Sequence, residues 1–118
     1  MKKEELRTCN LDYLYDLAKG DRPFIREMIT VFLEEIVPEL TRMKALIEAT
    51  DFSSIKQLAH KLRSSIPYLG LDVKIGEDLS EMEDLAREQV DMEKIQTRFK
   101  KVQVVCDAAV KELLHLEV

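Results

Sequence analysis

Gln57 to Gly70 reads Q-L-A-H-K-L-R-S-S-I-P-Y-L-G. With Ile55 just upstream, the apolar residues Ile55, Leu58, Ala59, Leu62 and Ile66 fall on one face of an α-helix. At about 100° per residue, His60 lies about 140° from Ile55 around the helix axis, so its ring is directed away from the core. Lys56 and Gln57 stand one turn before it, and Arg63 and Ser64 one turn after, on the same outward side. An exposed imidazole with two cationic neighbours and a small residue one turn on is suited to carrying a phosphoryl group. The plainer alternative is a surface histidine on a solvated helix face.

Working outward, the rest of the chain also reads as helix. Upstream, residues 1–9 are polar and read as frayed. Asn10 is an N-cap for a short helix through Leu11, Leu14, Tyr15 and Ala18, closed at Gly20. Asp21 caps a second helix with Pro23 in its first turn, running to about Ala49. Its apolar positions are Ile25, Met28, Ile29, Phe32, Ile36, Leu40, Met43 and Ile47, with a second set at Phe24, Val31, Val37 and Leu46. So wide a stripe predicts a helix buried on more than one side. Pro38 lies inside it and predicts a kink rather than a break.

Asp51 caps the helix that carries His60. Pro67 and Gly70 end or bend that helix near Ile66 to Leu69. Asp72 is read as the cap of a fourth helix with apolar residues Ile75, Leu79, Met82, Leu85 and Ala86. Gly76 stands in its first turn, where its cost is smallest or close packing accounts for it. After Val90-Asp91, a fifth helix carries Met92, Ile95, Phe99, Val102, Cys106, Ala109, Leu113 and Leu116, alternating by three and four residues. That period is the seam of a helix packed at a shallow angle. Short connections between long helices predict antiparallel neighbours. The expected fold is therefore all-α: an antiparallel up-and-down four-helix bundle with a short extra N-terminal helix.

Composition fits this reading. The 118 residues suffice for one domain, taken as 1–118, with a true core but no large cavity. Hydrophobic residues make up 46% and charged residues 35%, which argues against disorder, and three Gly and three Pro are too few for a turn-rich β protein. A net charge of −5 with dispersed basic residues argues against a nucleic-acid partner. No apolar run is long enough to span a membrane, and the start, Met1-Lys2-Lys3-Glu4-Glu5, has no apolar signal region, so a cytoplasmic location is expected. Met1 and a filled single domain are what an independent protein would show. Cys9 and Cys106 fit neither a redox nor a zinc spacing and are read as reduced thiols, Cys106 in the core.

The chain resembles the histidine-containing phosphotransfer (HPt) domain of bacterial phosphorelays. The family's motif is close to A-H-x-L-K-G-S with a glycine ten residues after the histidine. It is met here by Ala59, His60, Leu62, Arg63, Ser64, Ser65 and Gly70. Arg63 stands where the family usually has Lys, Ser64 where it usually has Gly, and Pro67 is unusual so soon after the histidine. The stretches Leu11-Asp12-Tyr13-Leu14, Gly20-Asp21, Phe32-Leu33 and Pro38-Glu39-Leu40 resemble the family's first two helices, so the likeness covers most of residues 10–115.

The resemblance implies a carrier rather than an enzyme. His60 would accept a phosphoryl group from the aspartate of a response-regulator receiver domain, including one within a hybrid histidine kinase, and pass it to another. It implies no cofactor in this chain, with Mg²⁺ expected in the receiver, and a monomer. Arg63 and Lys56 would favour neutral imidazole and stabilise the added charge. The Ser64 hydroxyl or the Gln57 amide would hold one ring nitrogen and set the tautomer. A receiver would dock over Ser64, Ser53, Lys56 and Gln57, with apolar contact from Leu14 or Leu17. The alternative is a degenerate domain that docks receivers without being phosphorylated. Glu112-x-x-His115 matches half of a di-iron motif, but the spacing-equivalent residue before His60 is Gln57, so no metal site is expected. His115 is expected near the carbonyls of a last helical turn. No nucleophile elbow or oxyanion loop supports a hydrolase.

Overall fold

The computed structural model describes residues 6–116, and these contain five α-helices, one 3₁₀ turn and no strand. The helices are α1 (Asp12–Ala18), α2 (Arg22–Glu48), α3 (Phe52–Ser65), α4 (Asp72–Glu88) and α5 (Met92–Leu114), with the 3₁₀ turn Ile66–Leu69 following α3. Helix α2 packs on α3 and α5, α3 on α4, and α4 on α5, so these four meet in a closed ring. Helix α1 lies against α2 and the 3₁₀ turn.

Local chemistry sets the boundaries. Asp21, Asp51 and Asp91 each accept a hydrogen bond from the backbone N–H three residues on, satisfying a donor that the first helical turn leaves unpaired. The two hydrogen bonds from Ser54 hold the Asp51 carboxyl below the usual carboxylate range. Asn10 does not cap α1: Leu11 occupies the cap without a side-chain hydrogen bond, and Asn10, one residue earlier, accepts from Asp12 N through Oδ1 at 2.9 Å. Asp72 does not cap α4. Leu71 occupies the cap without a side-chain hydrogen bond, and Asp72 is the first helical residue, where its charge favours the helix N-terminus instead. Gly76 has no packing reason either: an added Cβ would meet only Asp72 Cβ, at 3.8 Å. Helix α2 runs unbroken through Pro38.

The core follows the apolar stripes. Ile25, Ile29, Phe32, Ile36, Leu40, Met43 and Ile47 of α2 face Ile55, Leu58, Ala59 and Leu62 of α3, and the fifth helix buries Ile95, Phe99, Val102, Cys106, Ala109 and Leu113. The second apolar set on α2 corrects the reading of a helix buried on more than one side. Phe24, Val31 and Val37 are exposed and Leu46 is half-buried, because neighbouring helices cover a single stripe.

Residues 6–9 are not frayed. The backbone N–H groups of Arg7, Thr8 and Cys9 all donate to the Glu112 carboxylate, at 2.9, 2.7 and 2.9 Å. Burial alone would raise that carboxyl, but the donors from Cys9, Thr8 and Arg7 outweigh it and hold it below its ordinary range. Asn10 N continues the attachment to Leu69 O at 2.9 Å. Gly70 completes it. Its φ is +71°, and a Cβ there would lie 2.5 Å from Asn10 O, so only glycine lets the arm pass. The rest of the expected frayed segment, residues 1–5, lies outside the described residues.

Candidate functional site

His60 sits in the middle of α3 on the side opposite its buried stripe, with its side chain 61% exposed. The ring is not free to turn. Nδ1 lies 3.1 Å from Oε2 of Glu83, on the adjoining helix α4. A carboxylate only accepts, so Nδ1 carries a proton, and in the neutral ring Nε2 then carries the lone pair. Nε2 makes no hydrogen bond among the described residues.

Glu83 is the centre of the site. Its side chain is only 8% exposed, and a charge so placed requires partners. Arg87, one turn on along α4, reaches Oε2 with Nη2 at 3.2 Å. Arg63 brings Nη2 to 3.4 Å from Oε1 and donates from Nη1 to Ser80 Oγ at 3.2 Å. Arg87 also donates to Asp84 Oδ1 at 2.8 Å, which raises the guanidinium's basicity, with Glu83 and Glu88 adding to it. One carboxylate therefore gathers an imidazole and two guanidinium groups across the α3–α4 seam.

This arrangement revises the expected roles. The ring nitrogen is held by Glu83, not by Ser64 or Gln57. Ser64 Oγ donates to the backbone carbonyl of His60 at 3.2 Å, and Gln57 is exposed. Arg63 is beside the site, but its contacts are Glu83 and Ser80 rather than the ring. Lys56 is half-buried and forms no ion pair within the site. Neighbouring Lys61 pairs instead with Glu39 of α2 at 2.6 Å, and the Glu39 hydrogen bond and charge raise its basicity.

Of the expected docking residues, Ser53, Gln57 and Ser64 lie on the exposed side of α3, and Leu17 is 51% exposed on α1. Leu14 is corrected: it is 1% exposed and belongs to the core. The helical period allows only one of the two outward, since positions 14 and 18 share the stripe that meets α2. Tyr13, missed by the sequence reading, is half-exposed, with its ring tilted 31° to that of Tyr68 at 5.6 Å, and Tyr68 in turn stacks on Phe32 at 5.7 Å.

A second acidic cluster ties α4 to α5. Asp78, 1% exposed, accepts from Arg98 and forms an ion pair with Lys101, both at 3.0 Å, and Glu81 accepts from Arg98 and forms an ion pair with Lys94. Each of these cations pairs with a carboxylate, and the cluster holds no histidine or thiol. Cys9 and Cys106 are free, buried thiols pushed up to about 12, chiefly by burial and for Cys9 also by Glu112. Thiols so protonated are poor nucleophiles. His115 Nδ1 donates to Lys111 O at 2.7 Å, the role expected of a last-turn histidine. Glu112 beside it is committed to the N-terminal arm.

Fold and site together define an all-helical protein that presents an oriented imidazole to solvent. The chain belongs to the HPt domain family: the Hpt domain model matches residues 27–115, which take in α3, α4, the His60–Glu83 pair and both arginines. The family is one of histidine phosphotransfer in phosphorelays. No curated protein and no solved structure matches the chain. No helix among the described residues is long and apolar enough to cross a membrane.

Proposed function

We propose that this chain is a phosphorelay carrier in which His60 Nε2 accepts a phosphoryl group from the aspartyl-phosphate of a receiver domain and returns it to another receiver. The observation that carries this reading is the Glu83–His60 bond, which holds Nδ1 inward and turns Nε2 outward on a ring that solvent and a partner can reach. In the transfer the Nε2 lone pair forms the N–P bond while the bond from phosphorus to the aspartate oxygen breaks, with its electrons going to the carboxylate. The ring gains positive charge with its proton on Nδ1, directly against Glu83. Transfer of this kind depends on positioning and charge neutralisation. The receiver supplies its own Mg²⁺ and acidic pocket. This chain supplies the oriented nucleophile and the cation of Arg63, and is a carrier rather than an enzyme.

The same reading takes α2 to α5 as an antiparallel up-and-down bundle, with the site at the middle of one seam. It places the receiver over Ser53, Lys56, Gln57 and Ser64, with an apolar contact at Leu17 and Tyr13. It takes the protein as a cytoplasmic monomer. The competing reading, a degenerate domain that docks receivers without being phosphorylated, predicts binding without label.

Incubation with a labelled, phosphorylated receiver domain decides between them. The wild type should acquire an acid-labile, base-stable label, and His60→Gln should acquire none while keeping its helicity and melting temperature, because the residue is exposed. A labelled His60→Gln protein, or one that unfolds, would overturn the assignment of the acceptor.

A further inference from the structure

We infer that Arg87 is a positioning residue for His60, acting through Glu83. The inference rests on the reading of His60 as the acceptor only for its consequence in transfer; the geometry stands without it. Arg87 Nη2 and His60 Nδ1 address the same oxygen, Glu83 Oε2, at 3.2 and 3.1 Å. Glu83 must keep Oε2 at Nδ1 to fix the tautomer and the ring. A guanidinium on the same oxygen holds it there and offsets the charge buried with it.

Arg63 cannot do this alone. It approaches the other oxygen, Oε1, which has no hydrogen-bond partner, and divides its guanidinium with Ser80. The charged groups around the ring are Glu83 and Arg87 from α4, with Asp84 paired to Arg87, and Lys56 and Arg63 from α3. The Lys61–Glu39 pair joins that helix to α2. Among them, Arg87 alone shares an oxygen with the imidazole. Its spacing from Glu83 is i,i+4 with the acid first, the favourable order on a helix.

The experiment is ¹⁵N NMR of the His60 ring in the unphosphorylated protein, at a pH where the ring is neutral, paired with the rate of phosphoryl acceptance. In the wild type the neutral ring should carry its proton on Nδ1 alone; in Arg87→Ala the two tautomers should mix, and acceptance should fall about twofold, in step with the share of rings whose Nε2 carries the proton. Arg87→Lys should restore most of the single tautomer. In a Glu83→Gln background Arg87→Ala should have no further effect. Should Arg87→Ala fail to fold, Arg87→Gln carries the same test. A His60 tautomer identical in wild type and Arg87→Ala overturns the inference, as does an equal change in the Glu83→Gln background. Absence of label on His60 would overturn the acceptor reading alone, since the ring spectrum needs no phosphate.

Discussion

At the scale of the residue, the chemistry of His60 is set by a group 23 positions away in sequence. Burying the Glu83 carboxylate would be costly, and three basic groups on two helices offset that cost. Glu83→Gln keeps the shape and an acceptor oxygen but loses the counter-charge to the ring as the N–P bond forms. It should slow phosphoryl acceptance by about tenfold, a loss of about 1.4 kcal/mol in the transition state. Arg63→Ala should slow acceptance as well, by freeing Glu83 Oε1 and removing a cation from the added phosphate. Rates measured with a phosphorylated receiver at two salt concentrations check both. Wild-type rates in Glu83→Gln would reduce Glu83 to a structural ion pair.

His60 and Arg63 were legible because they lie one turn apart on one helix. Glu83 was not, because its meaning depends on which helix stands beside α3. A signal was present in the sequence: Glu83 is four residues after Leu79, on the inward stripe of α4, where an acid must find a cation. Asp78, on the same stripe, carried the same signal and found Arg98 and Lys101.

At the scale of the element, three successive amides of the N-terminal arm share a single carboxylate. Glu112 has its folded-state acidity strengthened, so it contributes stability that is fully present above its unfolded pKa of about 4.3 and is lost as pH falls through its lower folded value. The arm should therefore loosen at acid pH before the helices do. Hydrogen exchange at the amides of Arg7, Thr8 and Cys9 should accelerate in Glu112→Gln at neutral pH and in the wild type below about pH 4. Unchanged protection of those three amides in Glu112→Gln would refute the role of the carboxylate. The caps at Asp21, Asp51 and Asp91 could be read locally because donor and acceptor are three residues apart. The arm could not, because its partner is more than a hundred residues distant. The Gly70 contact was hidden for the same reason. The motif glycine makes room for Asn10, a residue sixty positions earlier.

At the scale of the whole molecule, the periodicities of the helices specified the core, and the buried stripes of α3 and α5 are the ones those periods predict. What period alone left open was how many neighbours each helix has, so the outer apolar set of α2 lies on the surface. The seam of α3 with α4 then determines where a partner can act. In the proposed transfer a receiver brings its aspartate to the His60 ring, and its loops would lie over Ser64, which is exposed one turn away. Ser64→Tyr should block transfer by bulk, and Ser64→Gly should transfer as well as the wild type or better. Both should keep the melting temperature, since the Ser64 hydroxyl only bonds the His60 carbonyl within its own helix. Transfer to Ser64→Tyr at the wild-type rate would remove that footprint.

In the proposed transfer Glu83 holds the His60 ring so that Nε2 receives the phosphoryl group. Phosphorus and nitrogen NMR of the ¹⁵N-labelled, phosphorylated protein tests it most directly, since coupling to phosphorus identifies the bonded ring nitrogen. Phosphorus is expected on Nε2 of His60, with a proton on Nδ1 shielded by Glu83. Phosphorus on Nδ1, or on any residue other than His60, would contradict it.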